Sequence, residues 1–218
     1  MMEYVLDRQL VIFDFDGTLA DTFPSFANAF DEAADKYGFK RLDRERQHAL
    51  RGYDARRIMA HHGIPLWKAP AIAGFMRRAL GRDIAGIRLF DGVEPVLRGL
   101  AARGVTLAIV TSNSRDNVLR ILGAENAALF SHVECGASLF GKLPKVRKVL
   151  TDSGVAAARA ILIGDEIRDA KVSAEAGVDF GAVAWGFNHL ETLMAEAPRM
   201  VFRHVGELLS GTAPPLPG

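Results

Sequence analysis

Three short apolar runs each end in side chains able to do phosphoryl or metal chemistry. Leu10-Val11-Ile12-Phe13 leads to Asp14 and Asp16, Leu107-Ala108-Ile109-Val110 to Thr111-Ser112-Asn113, and Ala160-Ile161-Leu162-Ile163 to Gly164-Asp165 with Asp169 following. Each cluster alone reads as ordinary structure: Asp16-Gly17-Thr18 as a turn, Thr111 and Asp165 as helix caps. Together they pose an electrostatic problem. Two unit charges ~4 Å apart repel by about 4 kcal/mol at an effective dielectric near 20, and a carboxylate meeting a phosphate pays this repeatedly. A divalent cation reverses the sign. An all-oxygen donor set suits Mg²⁺ better than zinc, and one Cys with scattered His residues forms no zinc pattern.

The runs that must position these groups are continuously apolar rather than alternating, as expected of strands covered on both faces in a parallel sheet. Gly181 to Trp185 is a fourth candidate strand and Met200 to Phe202 a fifth. Between them the period turns helical. Val93, Val96, Leu97, Leu100 and Ala101 share one face before Gly104; Val146, Val149 and Leu150 precede Gly154; and the stretch from Arg168 to Ala176 closes at Gly177. This alternation predicts an α/β, Rossmann-like doubly wound parallel sheet, whose ligands bind outside the carboxyl ends of the strands. Residues 22–88 hold no comparable strand signal. Pro24, the spacing of Ala27, Phe30, Ala34 and Tyr37, and turns at Pro65 and Pro70 predict an all-helical insertion. The expected organisation is therefore a core of residues 1–21 and 89–211, a helical cap of 22–88, and a frayed tail of 212–218.

Of 218 residues 49% are hydrophobic and 24% charged, which excludes a disordered or fibrous chain. The formal net charge of +1 carries no signal for nucleic acid or an anionic membrane. No run approaches the ~18 apolar residues of a membrane helix, and Met1 to Arg8 lack the basic start and apolar stretch of a signal peptide, so a soluble cytoplasmic protein is expected. Nothing in the sequence indicates an oligomeric state. The lone Cys135 excludes an internal disulfide and reads as a buried structural thiol. The small net charge is a cancellation. Residues 22–88 carry 13 Lys plus Arg against 7 Asp plus Glu, and the remainder 14 against 19. A basic lid over an acidic floor is expected, and with it a small anionic substrate.

Asp14-Phe-Asp-Gly-Thr-Leu19, Thr111-Ser-Asn113, the lysine of Phe140-Gly-Lys-Leu-Pro-Lys145, and Gly164-Asp-Glu-Ile-Arg-Asp169 resemble, in order and spacing along nearly the whole chain, the four motifs of the haloacid dehalogenase superfamily of hydrolases. The insertion sits where that superfamily's C1 cap does, and the look is phosphoglycolate-phosphatase-like. The resemblance implies a nucleophilic Asp14 that forms an aspartyl-phosphate, and an Asp16 that protonates the leaving oxygen and deprotonates water while its carbonyl helps hold the metal. It implies Thr111, with Ser112 and Asn113, on the phosphoryl oxygens, and a lysine that stabilises Asp14 and the group in flight. Asp165 and Asp169 would complete a Mg²⁺ site.

Gly before Lys favours Lys142 for the third motif over Lys145, which then reads as a surface helix residue. Glu166 reads as a first-turn acid rather than a metal ligand. In Leu50-Arg51-Gly52-Tyr53-Asp54, Arg51 resembles the cap segment that dips towards the site and is the candidate substrate contact; Arg56, Arg57, His61 and His62 read as solvated or capping. Trp185-Gly186-Phe187 resembles a phosphoglycolate-phosphatase segment, with packing as its expected role. The function implied is a Mg²⁺-dependent phosphatase acting on a small phosphorylated metabolite of the phosphoglycolate kind. The alternatives are a phosphomutase, which shares the four motifs, and a phospho-accepting binding protein, from which the insertion and the Asp-Gly-Thr sequence argue away. A carbon-attacking dehalogenase needs neither Asp16 nor the last acidic motif, and Gly141-Lys142-Leu143 is no phosphate-binding P-loop.

Overall fold

A computed structural model of the chain describes residues 5–43, 51–136 and 141–210. The expected tail at 212–218 and the first four residues lie outside these. The three strongest apolar runs form β1 (Leu10–Phe13), β2 (Thr106–Val110) and β4 (Ala160–Gly164). Every residue of β1 is fully buried, as continuous hydrophobicity requires. With β3 (His132–Glu134), β5 (Asp179–Val183) and β6 (Met200–Phe202) they make one parallel sheet in the order β3-β2-β1-β4-β5-β6. The fourth and fifth candidates are thus strands. β3 gave no signal because it is three half-buried residues long.

Each sheet face buries its own apolar cluster. Val11, Phe13, Leu107, Ile109, Ile161 and Ile163 point to one side; Leu10, Ile12, Ala108, Val110 and Leu162 point to the other, where Val146 and Val149 cover them. The covering helix Leu143–Ser153 ends at Gly154, as the periodicity predicted. Cys135 is half-buried against the first cluster rather than fully enclosed, and burial pushes its thiol up to about 11.

β1 and β2 pair from Leu10 with Thr106, and β1 and β4 from Leu10 with Ala160. This register brings the carboxyl ends of all three strands to one edge. The ladder continues one residue further, with the Asp14 amide donating to the carbonyl of Ile163 at 2.9 Å. Asp14 therefore leaves the sheet between Thr111 and Asp165, at the point where the strand order reverses.

The chain departs from this edge after Ala20 and returns at Leu89, the two passing strands forming an antiparallel bridge. Paired amides, Asp21 to Arg88 and Phe90 to Leu19, tie departure to return. Between them lie α1 (Phe23–Tyr37), α2 (Ala55–His62) and α3 (Ala69–Arg82). Pro24 and Pro70 occupy first turns, and Gly38 and Gly63 end α1 and α2 in the left-handed conformation. Ala29, Phe30, Ala33, Ile64, Ile72, Met76 and Ala79 form a small apolar core of the insertion.

His62 belongs to this core rather than to a solvated or capping position. Its ring packs on Phe30 at 4.7 Å, and its Nδ1–H donates to the Lys40 carbonyl at 2.7 Å. Nε2 has no partner among the described residues, and burial holds the imidazole below the ordinary histidine value of 6.5. A lowered folded value means that the unfolded chain takes up the proton first, so stability is lost as pH falls through 6.5. Wild type should lose unfolding free energy relative to His62→Phe as denaturation is repeated below that pH; a difference independent of pH would contradict this.

Candidate active site

At the carboxyl edge Asp14, Asp165 and Asp169 are buried, with one carboxylate oxygen of each lying within 4.8 Å of the others. Lys142, also buried, donates to Asp169 Oδ1 at 2.6 Å and forms an ion pair with Asp14 Oδ2 at the same distance. Burial alone drives the ammonium down, yet Asp14 and Asp169 outweigh it and hold Lys142 above the ordinary lysine value. With every group ionised, three carboxylates against one ammonium would leave two negative charges in the cluster. Burial pushes Asp165 well above the usual carboxylate range, with Asp14, Glu166 and Asp169 adding to it. Burial likewise raises Asp169 to about 6, against the opposing pull of Lys142. Hard oxygen donors with more acid groups than ammonium partners fit a divalent cation.

Each carboxylate is held by local backbone. The Phe15 amide donates to Asp14 Oδ1 (2.7 Å), and the Glu166 amide to Asp169 Oδ2 (3.1 Å) in the first turn of the helix Ile167–Ala176. Asp165 accepts from the Thr18 hydroxyl (2.6 Å) and the Phe187 amide (2.7 Å). Gly17 and Gly186 make room for it. Gly17 sits at φ +79°, and a β-carbon on Gly17 would lie 2.3 Å from Asp165 Oδ2. On Gly186 it would lie 2.1 Å from the Asp165 β-carbon.

Asp16 turns away from the three. It accepts from the Asn113 amide group at 2.9 Å and the Thr111 hydroxyl at 3.4 Å. Burial and the neighbouring Asp14 push it up to about 6, a range in which a carboxyl both gives and takes a proton. The Thr111 hydroxyl also accepts from the Asn113 amide at 3.0 Å, and Ser112 is half-buried on the cavity wall beside Asp16. Lys145 is not a surface residue. It donates to the carbonyls of Thr111 (3.0 Å) and Gly136 and so fixes the turn after β2. Glu166 pairs with Arg168 at 2.6 Å, and both face the cavity.

Arg51 reaches the site from the insertion. Its Nε donates to the carbonyl of Phe187 (3.0 Å) and its Nη2 to that of Gly186 (2.6 Å). The contact is reciprocated by Asn188, whose amide group donates to the carbonyls of Arg51 (2.7 Å) and Tyr53 (3.2 Å) while its oxygen accepts from the Ile167 amide (3.0 Å). Arg57 stacks on Tyr53 at 4.3 Å, and Arg56 and His61 are exposed. Trp185 packs against the core and donates to the Thr18 carbonyl at 3.0 Å. Asn188 and Arg168 were not singled out in the sequence. Asn188 gives no local signal, whereas Arg168 stands inside the last acidic motif.

The basic lid is only partly present. Among the described cations of the insertion Arg51 and Arg77 line the cavity, while Lys36, Lys40, Arg41, Arg56, Arg57, Arg78, Arg82 and Arg88 are exposed. Counting charge along a helix adds both faces together, and here the solvent face carries most of it.

A doubly wound parallel sheet with a buried lysine and clustered aspartates at its carboxyl edge, and a helical insertion after the first strand, sets the fold class as α/β, Rossmann-like. Comparison with known proteins agrees. Residues 11–183 match the haloacid dehalogenase-like hydrolase family, and the chain belongs to it. A phosphoglycolate phosphatase of Synechococcus elongatus is 31% identical over 202 residues, 92% of this chain and 95% of that one. Tyrosine-protein kinase PtkA of Mycobacterium tuberculosis is 28% identical over 84% of this chain, which spans 64% of that protein. In three dimensions a phosphoglycolate phosphatase-like structure from Lactobacillus plantarum superposes with a TM-score of 0.80 at 21% identity, covering 94% of this chain and 99% of that one. No helix among the described residues is long and apolar enough to cross a membrane.

Lys142→Met leaves the buried carboxylates without their ammonium. In the presence of a chelator it should cost ~3–5 kcal/mol of unfolding free energy, the price of removing one partner of a buried ion pair. Adding Asp169→Asn to it should recover part of that loss; costs that simply add would contradict the coupling.

Proposed function

We propose that the protein is a Mg²⁺-dependent phosphatase that hydrolyses a phosphomonoester through an aspartyl-phosphate on Asp14. The observation that carries this reading is Asp14 itself. It stands at the end of the central strand, beside Lys142 at 2.6 Å and within reach of Asp165 and Asp169. Asp14 Oδ1 is pinned by the Phe15 amide, and Oδ2 by Lys142, which orients the carboxylate as a nucleophile. Asp14, Asp165, Asp169 and the Asp16 carbonyl would hold the cation. When bound, Mg²⁺ would neutralise the excess charge and screen the incoming phosphoryl group from the carboxylates.

The remaining steps belong to the chain's own residues. Asp16, held by Asn113 and Thr111, would protonate the leaving oxygen as the ester breaks and then take the proton of the water that attacks the aspartyl-phosphate. Thr111 and Ser112 would hydrogen-bond the phosphoryl oxygens, and Lys142 would meet the charge that builds in flight. Phosphoglycolate, for which the Synechococcus elongatus relative is named, is the first natural ester to assay.

The test is hydrolysis of an aryl phosphate by wild type and Asp14→Asn, with Mg²⁺ and with chelator. Turnover should require Mg²⁺ and fall at least ~10³-fold in the variant. Asp165→Asn should raise the Mg²⁺ concentration giving half-maximal rate. Undiminished Mg²⁺-dependent turnover by a folded Asp14→Asn protein would overturn the assignment.

A further inference from the structure

The cavity over the site has a volume of about 350 Å³, within the range of small-molecule pockets. Its floor is polar, with Asp16, Ser112 and Asn113, but its walls in the insertion are not. Phe26, Ile58, Met59, Ile72, Met76 and Leu80 line it from α1, α2 and α3, and Phe187 adds a ring that meets Phe26 at 5.3 Å. Of the three arginines that line it, Arg51, Arg77 and Arg168, two are already engaged. Arg51 spends two donors on the Gly186 and Phe187 carbonyls, and Arg168 pairs with Glu166. A two-carbon acid phosphate would leave the apolar part of this chamber unfilled and would set its carboxylate against walls on which Arg77 is the one cation whose side chain has no partner among the contacts above.

We propose, resting on the phosphatase reading above, that the chamber houses an apolar, ring-sized leaving group, so that the preferred substrate is an amphiphilic phosphomonoester rather than a two-carbon acid phosphate. The phosphoryl group would sit on the polar floor of Asp16, Ser112 and Asn113, on the side towards Asp14. The organic group would extend between Phe26, Met76 and Phe187, where burying each methylene favours binding.

The test compares ethyl, butyl and benzyl phosphate with phosphoglycolate under Mg²⁺. The three esters with uncharged organic groups release similar alcohols, so differences among them report the chamber rather than leaving-group chemistry. kcat/KM should rise roughly fourfold per added methylene from ethyl to butyl. Benzyl phosphate should exceed ethyl phosphate by more than tenfold, with phosphoglycolate below benzyl. Ala73→Phe, which places a ring in the chamber from α3, should collapse the benzyl-to-ethyl ratio towards unity. A flat series, or phosphoglycolate favoured tenfold or more over benzyl phosphate, would overturn the proposal.

Binding of ethylphosphonate and benzylphosphonate by calorimetry separates this claim from the catalytic one, because neither can be hydrolysed. Benzylphosphonate binding at least tenfold tighter supports the chamber even if no ester turns over, a result that would refute the phosphatase reading alone. Equal affinities refute the chamber whatever the activity.

Discussion

The structure is organised around three carboxyl groups buried with a single lysine at the carboxyl edge of β1 and β4. Asp14, Asp165 and Asp169 bring three carboxyl groups to within 4.8 Å, and Lys142, which pairs with Asp14 and Asp169, supplies one positive charge against them. At such distances each unpaired contact costs kilocalories. The arrangement persists because backbone amides, a hydroxyl and the sheet itself fix the carboxylates where they are. That same excess makes the site receptive to a divalent cation and hostile to a bare phosphate, so cation and substrate belong together.

Asp165 links this charge cluster to the insertion. The loop after β5 donates the Phe187 amide to Asp165, and the carbonyls of Gly186 and Phe187 accept from Arg51. Asn188 fastens the same loop to the carbonyls of Arg51 and Tyr53. Gly17 and Gly186 allow this close approach, since a β-carbon at either would collide with Asp165. The contact between insertion and core therefore runs through a loop that also positions a carboxylate of the site, and the apolar chamber lies immediately beside it.

Much of this is legible in the residues. β1, β2 and β4 are buried on both faces, so their sequences are unbroken apolar runs, and Asp14, Thr111 and Asp165 follow directly from their ends. β3 is too short to carry a pattern. Lys145 and Lys142 lie one helical turn apart, and only the path of the chain decides that Lys142 meets the carboxylates while Lys145 holds the Thr111 and Gly136 carbonyls. Arg51 and Asn188 act across more than 130 positions, on backbone carbonyls that no side-chain pattern advertises. The expected basic lid is only partly present for a related reason. Helical periodicity places Ile72, Met76 and Leu80 inwards and Arg78 and Arg82 outwards, a division that a net charge for the segment erases.

The central claim, that Asp14 carries the phosphoryl group, is tested most directly by trapping it. Asp16→Asn removes the base for hydrolysis of the phospho-enzyme, while an aryl phosphate with a good leaving group still needs little acid assistance to load it. Acid-quenching Asp16→Asn after mixing with Mg²⁺ and p-nitrophenyl phosphate, and mapping the phosphoryl group by peptide mass spectrometry, should place it on Asp14. Phosphorylation at another residue, or p-nitrophenol release with Asp14 unmodified throughout, would contradict the account.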